Sequence, residues 1–247
     1  MLASMAAKAP NHRTASPNGR AGVTGPIEAV VFDAYGTLFD VYSVASLAEQ
    51  LFPGKGDALS QLWRQKQLEY SWLRTMSDRY KPFREITRDA LRFAAARLAL
   101  SLESQAEARL MNQYASLSAF PENLPALRAL KATGLPLGVL SNGDLEMIEV
   151  AVRSSGMTGL FDHLLSSESV AAFKTVERIY ALAPRAFGLR ARQILFVSSN
   201  CWDAIGAHWY GYTTFWVNRT GAPLECLDAA PDHVGTLLSD VLAVVRP

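Results

Sequence analysis

Short, dense apolar runs alternate along the chain with longer stretches in which apolar residues recur every three or four positions. The first run, Ala29–Phe32 (A-V-V-F), stops at Asp33 and is followed by Gly36, the pattern of a buried strand breaking into a turn. Comparable runs predict strands over residues 136–140, 163–165, 193–197 and 213–217, and a further strand end over 171–173. Between them the 3.6-residue period predicts helices over 122–133, 145–155, 176–186 and 201–210. Strands alternating with helices predict an α/β fold built on a doubly wound parallel sheet. In such sheets ligands bind at the carboxyl edge of the strands, which is where Asp33 falls.

One block interrupts this alternation. Residues 42–117 contain no strand pattern, and helices are predicted over 58–76, 85–100 and 104–116. The first of these places Leu59, Leu62, Trp63, Tyr70 and Leu73 at helical spacings. The expected organisation is a core made of residues 27–41 and 118–247 with an inserted helical cap, residues 42–117, over the edge that carries Asp33. A cap there would exclude water from the site. The sequence contains no internal repeat.

Composition narrows the partners. At 247 residues the chain can bury a core without staples and does not require two independent domains. Its 24 basic and 23 acidic residues leave a net charge of +1, so no strong field points to nucleic acid or an anionic membrane surface, and a small molecule is the expected partner. No apolar run reaches the roughly 18 residues of a membrane span. The two cysteines, Cys201 and Cys226, form no disulfide framework and no zinc-binding spacing, which fits a reducing cytoplasm. Residues 1–26, with Lys8, Arg13, Arg20 and no acid, are expected to be a disordered extension; their composition slightly resembles a transit peptide but lacks its amphipathic period.

Polar clusters follow the predicted strands: Asp33 to Asp40 (D-A-Y-G-T-L-F-D), Ser141-Asn142-Gly143, F-K-T around Lys174, and S-S-N-C-W-D from Ser198 to Asp203. Taken singly each has an ordinary reading. Asp and Asn-Gly are common turn residues, and Lys and Arg are usually solvated. Their joint meaning comes from a resemblance. The Asp33 segment resembles the first motif of the haloacid dehalogenase superfamily, in which an Asp at a strand end attacks the substrate and becomes a covalent ester. Phosphatases of that superfamily carry a second Asp two residues later, where Tyr35 stands here. An alkoxide leaving from a phosphate ester benefits from a general acid, whereas a halide leaves without a proton, so Tyr35 favours dehalogenation. W-R-Q-K-Q-L-E-Y, F-V-S-S-N-C-W-D and V-N-R-T-G resemble the L-2-haloacid dehalogenases in particular, and the likeness runs from residue 27 to about 245.

The resemblance implies a role for each matching residue. Asp33 is the nucleophile and Thr37 completes its motif. Ser141 and Asn142 orient the substrate carboxylate and halogen, and Arg64 draws off the halide. Lys174 keeps Asp33 ionised; with Ser198, Asn200 and Asp203 it holds Asp33 and the hydrolytic water, and Tyr180 lies near the site. Tyr35, Leu68, Phe83 and Trp202 would line an apolar pocket around C2, with Ala34 and Gln65 also against the substrate. Relatives commonly have Lys-Pro where this chain has Lys174-Thr175. With Ser199 and Tyr35 where phosphatases place acids, the oxygen-ligand cluster that Mg²⁺ prefers is depleted, so no metal or other cofactor is expected. A homodimer is implied by the family. The competing readings are a Mg²⁺-dependent phosphatase of the same superfamily and a catalytically silent binding protein on this fold.

Overall fold

The computed structural model describes residues 25–245; the expectation of an N-terminal extension falls almost entirely outside them. Six parallel strands form one sheet in the order β3-β2-β1-β4-β5-β6, with β1 Ala29–Phe32, β2 Leu137–Ser141, β3 His163–Ser166, β4 Ile194–Ser198, β5 Thr213–Val217 and β6 His233–Gly235. All four β1 residues are fully buried because both faces are covered: Val30 and Phe32 enter one apolar core, Ala29 and Val31 the other. The chain steps from β1 to β2 and β3 on one side, then returns to β4 on the other. The switch point lies between the carboxyl ends of β1 and β4, which deliver Asp33 and Ser199 to the same crevice.

Four helices enter between β1 and β2: α1 Ala45–Leu51, α2 Gly56–Met76, α3 Phe83–Arg97 and α4 Ser104–Ala115. Their buried faces share a core with Leu38 and Phe39 of the loop after β1. Helix α5, Asn123–Lys131, then leads to β2, and α6, Leu145–Ser154, leads from β2 towards β3. Asp144 begins α6 but leaves its own helix uncapped. Its carboxylate instead accepts from the N–H groups of Phe83 (2.7 Å) and Arg84 (2.8 Å), tying the start of α3 to the sheet edge. Burial raises its pKa above the ordinary carboxylate value. Asp144→Asn keeps one acceptor and loses the charge that faces a helix N-terminus; we expect it to cost about 1–2 kcal/mol, read as a lower urea midpoint with an unchanged m-value.

Two expectations need correction. Residues 171–173 are not a strand end: β3 stops at Ser166, a 3₁₀ turn occupies Ser167–Val170, Ala171 takes a left-handed φ of 48°, and the Phe173 N–H donates to Thr75 Oγ1 of α2 at 3.0 Å. The helix expected over 176–186 is two short ones, α7 Glu177–Tyr180 and α8 Leu182–Phe187. Pro184 cannot donate to the carbonyl of Tyr180, which accepts instead from the Tyr212 hydroxyl. The chain then continues through α9, Cys201–Tyr210, and closes with α10, Leu242–Val245. The three-residue β6 carried no recognisable pattern.

Candidate active site

The turn after β1 is built by one carbonyl. Ala34 O accepts from the N–H groups of Thr37, Leu38 and Phe39, which turns the chain back and raises the Thr37 hydroxyl beside Asp33. Gly36 allows this with φ of +95° and leaves room for the Asn200 side chain. Asp33 is 6% exposed, and both its oxygens are engaged. Oδ2 accepts from Thr37 Oγ1 and from Asn200 Nδ2, each at 2.9 Å. Oδ1 accepts from Lys174 Nζ at 2.9 Å.

Lys174 is 1% exposed and also donates to Asp203 Oδ2 at 2.8 Å. Its ammonium lies 4.9 Å from the centroid of the Phe196 ring. Burial alone would lower its pKa, but the Asp203 and Asp33 carboxylates outweigh that and raise it. Asp203, fully buried in the first turn of α9, accepts at Oδ1 from the Tyr180 hydroxyl at 2.7 Å. Desolvation pushes the Asp203 pKa up to about 6, against the opposing pull of Lys174. Burial and the same carboxylate keep Tyr180 well above the usual phenol value, so it donates and does not ionise.

That triad gives a pH prediction. Activity should fall on the acid side near pH 6 as Asp203 takes up a proton and ceases to hold Lys174 as a charged partner. The Tyr180 hydrogen bond favours the ionised form, so Tyr180→Phe raises the Asp203 pKa and moves the acid limb of kcat to higher pH. A pH profile of the two proteins checks this, and coincident limbs would remove Asp203 from the role.

The remaining predicted residues fall into place unevenly. Asn142 uses its Oδ1 to accept from the Lys174 N–H at 2.8 Å, which anchors the lysine loop and turns the NH₂ end into the available donor. Ser141, fully buried, accepts at Oγ from the Gly143 N–H at 3.0 Å and shapes that turn. Gly143 is required there, since a Cβ would lie 2.6 Å from the Tyr35 ring. Ser198 Oγ accepts from the Asn200 N–H at 3.1 Å, so its visible task is to set Asn200 and not to hold Asp33 itself. The Lys174–Thr175 peptide is cis.

Arg64 on α2 is 7% exposed. Nη2 donates to Tyr35 O at 3.2 Å and Nη1 to Gln67 Oε1 at 2.8 Å; neither partner is a carboxylate. Gln67 in turn accepts from the Tyr114 hydroxyl and donates to Thr87 Oγ1. Gln65, singled out from the sequence, is exposed on another side of α2 and is not brought to the cluster. One residue along a helix is about 100° of rotation, whereas Gln67 stands three residues from Arg64 and shares its face.

The four aromatic and aliphatic candidates separate into two groups. Tyr35 and Phe83 pack together, with ring centroids 5.7 Å apart, and Tyr35 stacks on Tyr114 at 5.9 Å. Among the described residues the Tyr35 hydroxyl has no hydrogen-bond partner, and burial holds its pKa well above the usual value. Leu68 and Trp202 instead line a cavity of about 390 Å³ together with Arg64 and Asn200. Trp202 meets Trp72 of α2 edge-on at 5.6 Å.

The model for haloacid dehalogenase-like hydrolases matches residues 27–211. The chain belongs to the haloacid dehalogenase-like hydrolase family. It is 47% identical over 215 residues to an (S)-2-haloacid dehalogenase of Pseudomonas putida, covering 87% of this chain and 95% of that one. A solved L-2-haloacid dehalogenase structure is 60% identical, with a TM-score of 0.88 over 90% of this chain and 100% of that chain. The L-2-haloacid dehalogenase from Xanthobacter autotrophicus, solved with chloropropionic acid covalently bound, is 37% identical, with a TM-score of 0.83 over 89% of this chain and 98% of that chain.

Within this haloacid dehalogenase-like hydrolase, several residues at the site were missed from sequence: Gln67, Asn123, Asp144 and Arg219. Gln67 had a usable signal, its i+3 spacing from Arg64. Arg219 lay within the motif V-N-R-T-G, but the motif gave it no role. Asn123, at the start of α5, and Asp144 had no signal, because such residues read as helix-start or turn residues until their distant partners are known.

Proposed function

We propose that this chain hydrolyses L-2-haloalkanoic acids to 2-hydroxy acids with inversion at C2, through an ester on Asp33. The observation that carries the reading is one arrangement: a buried carboxylate with an ammonium on one oxygen and two neutral donors on the other, near a buried guanidinium that has no carboxylate partner among the described residues. The relatives named above are dehalogenases of this class.

In the first step an Asp33 oxygen attacks C2 from the side opposite the halogen. The C–O bond forms as the carbon–halogen bond breaks, and its electron pair leaves with the halide towards Arg64. No proton is needed, which suits Tyr35 at the place where a phosphatase has its acid. The Asn142 NH₂ and the Ser141 turn hold the substrate carboxylate or the departing halide. In the second step water attacks the ester carbonyl of Asp33. Lys174, Thr37 and Asn200 donate to the charge that develops on its oxygen, and water exclusion strengthens each of these contacts. Asp203, raised to about 6, is the base whose pKa suits removal of the water proton. The tetrahedral intermediate then breaks the C–O bond between the Asp33 carbonyl carbon and the substrate oxygen. That oxygen, which came from Asp33, takes the second proton of the attacking water and leaves as the hydroxyl of the 2-hydroxy acid, while Asp33 returns to carboxylate and Asp203 releases the proton it accepted.

Residues 42–117 act as a cap in this reading. Arg64, Leu68 and Phe83 all come from that segment, so closing it over the sheet edge completes the site. Catalysis proceeds without a metal, because Tyr35 and Ser199 offer no carboxylate where phosphatases use one. We also infer a homodimer in a reducing cytoplasm; the free thiols of Cys201 and Cys226 agree with that compartment.

The test is halide release from L- and D-2-chloropropionate with EDTA and with added Mg²⁺. Release from the L-form alone, indifferent to EDTA, is the expected result. Phosphate release from small phosphoesters that depends on Mg²⁺ would replace the reading with a phosphatase, and binding of haloacids without turnover would replace it with a silent binding protein.

A further inference from the structure

Arg219, in the motif V-N-R-T-G after β5, takes no part in the steps above, yet it is one of the most heavily hydrogen-bonded side chains near the site. Its Nε donates to Glu122 Oε1 at 2.8 Å and its Nη1 to Ser199 Oγ at 2.6 Å. Its Nη2 donates to Asn123 Oδ1 at 3.0 Å and to Thr37 O at 3.2 Å, and the guanidinium carbon lies 3.9 Å from the centroid of the Phe120 ring. Fully buried Asn123 adds donors to Thr37 O and Leu38 O.

These contacts converge on one link. The Ser199 N–H donates to Thr37 Oγ1 at 2.8 Å, and that hydroxyl donates to Asp33 Oδ2. A threonine hydroxyl rotates freely unless its accepting side is occupied, so the direction of its proton depends on where the Ser199 N–H is held. Arg219 grips both ends, Thr37 through its carbonyl and Ser199 through its hydroxyl. The planar guanidinium, with five donors in a fixed fork, suits this task in a way that an ammonium does not. Ser199 also stands where phosphatases of the superfamily carry a metal-binding acid.

We propose that Arg219 is a positioning residue. It ties the loops after β1, β4 and β5 together and keeps the Thr37 hydroxyl and the Asn200 amide aimed at Asp33 Oδ2 through the catalytic cycle, at an edge where the superfamily's phosphatases use a metal ion. The inference rests on the aspartyl-ester reading for its kinetic consequence, but not for its structural one.

The experiment compares Arg219→Met, Arg219→Lys and Ser199→Ala with the wild type, measuring kcat, KM, melting and amide exchange of the peptides that contain Thr37 and Ser199. In Arg219→Met we expect kcat to fall about 10- to 100-fold, the scale of a small misplacement of reacting groups, with KM within about twofold. Arg219→Lys should recover part of kcat, Ser199→Ala should lose about threefold, and exchange around Ser199 should quicken in Arg219→Met. Wild-type kcat with unchanged exchange in Arg219→Met overturns the proposal, as does a loss that follows the melting temperature alone and is not relieved by lysine. If Arg219→Met does not fold, Ser199→Ala decides by the same two readouts. A wild-type protein that releases no halide would defeat the dehalogenase reading instead, and the exchange measurement would still decide the role of Arg219.

Discussion

Asp33→Asn stops repeated turnover while the protein stays folded. The amide is no nucleophile towards C2, so the ester cannot form, and kcat should drop by at least about four orders of magnitude, the scale seen when a covalent nucleophile is removed. Folding tolerates the change because the side chain keeps its size and Lys174 keeps Asp203 as a partner. Replacing one of two carboxylates around a single ammonium also relieves their mutual repulsion, so circular dichroism and the melting temperature should stay close to wild type. Mass spectrometry must show that the asparagine has not reverted to aspartate. A companion measurement on the wild type is a single turnover in oxygen-18-enriched water: the label is expected in Asp33, with the first hydroxy acid unlabelled. Label appearing in the product of that first turnover would mean that water attacks C2 directly.

Lys174→Met has the second large effect, on both activity and stability. Lys174 is the only cation that contacts the two carboxylates of Asp33 and Asp203 among the described residues, and all three groups are shut away from solvent. Removing one partner of a buried ion pair leaves an uncompensated charge, which costs about 3–5 kcal/mol. The cost is pH-dependent. Burial already raises the Asp203 pKa to about 6, and loss of the ammonium raises it further. The folded state then binds a proton more tightly than the unfolded chain, so the stability of the variant falls as pH rises through that pKa and recovers towards the unfolded carboxylate value near 4. The wild-type lysine follows the same sign at a higher pH: its raised pKa gives stability that is complete below the ordinary lysine value and is lost only as pH rises through the folded one, far above neutrality. Urea titrations at pH 5.5 and 7.5 should therefore show a deficit that is larger at the higher pH. Turnover should drop by at least about a thousandfold, since the same ammonium serves both the attack and the ester's hydrolysis. A variant equally stable at both pH values would mean that Asp203 does not carry the charge assigned to it.

The local features of this site are those that the sequence alone determines. A strand of four apolar residues ending at Asp33, a turn that needs Gly36, and an acid in the first turn of a helix at Asp203 each depend on neighbours within a few positions. Periodicity likewise determines the alternating core and the helical segment inserted after β1. The pattern is ambiguous where a short apolar run has no period of its own. This is why residues 171–173 resemble a strand although β3 has already ended, and why the three residues of β6 escape notice. It also passes over Pro184, which divides one apparent helix into two.

Only the tertiary structure decides how distant residues are paired. Lys174 reaches Asp33 across 141 positions of sequence, and the two meet because the loop after β3 is held over the sheet edge by Asn142 Oδ1, which accepts from the Lys174 N–H, and by Thr75 Oγ1, which accepts from the Phe173 N–H. The choice of Gln67 over Gln65 beside Arg64 depends on which face of α2 meets the loop after β1, and hydrophobic spacing constrains that face only to within a turn. Arg219, Asn123 and Asp144 look like surface or turn residues in the sequence. Their roles arise because backbone groups buried at the ends of strands and helices must find hydrogen-bond partners, and those partners come from wherever the fold happens to place a side chain.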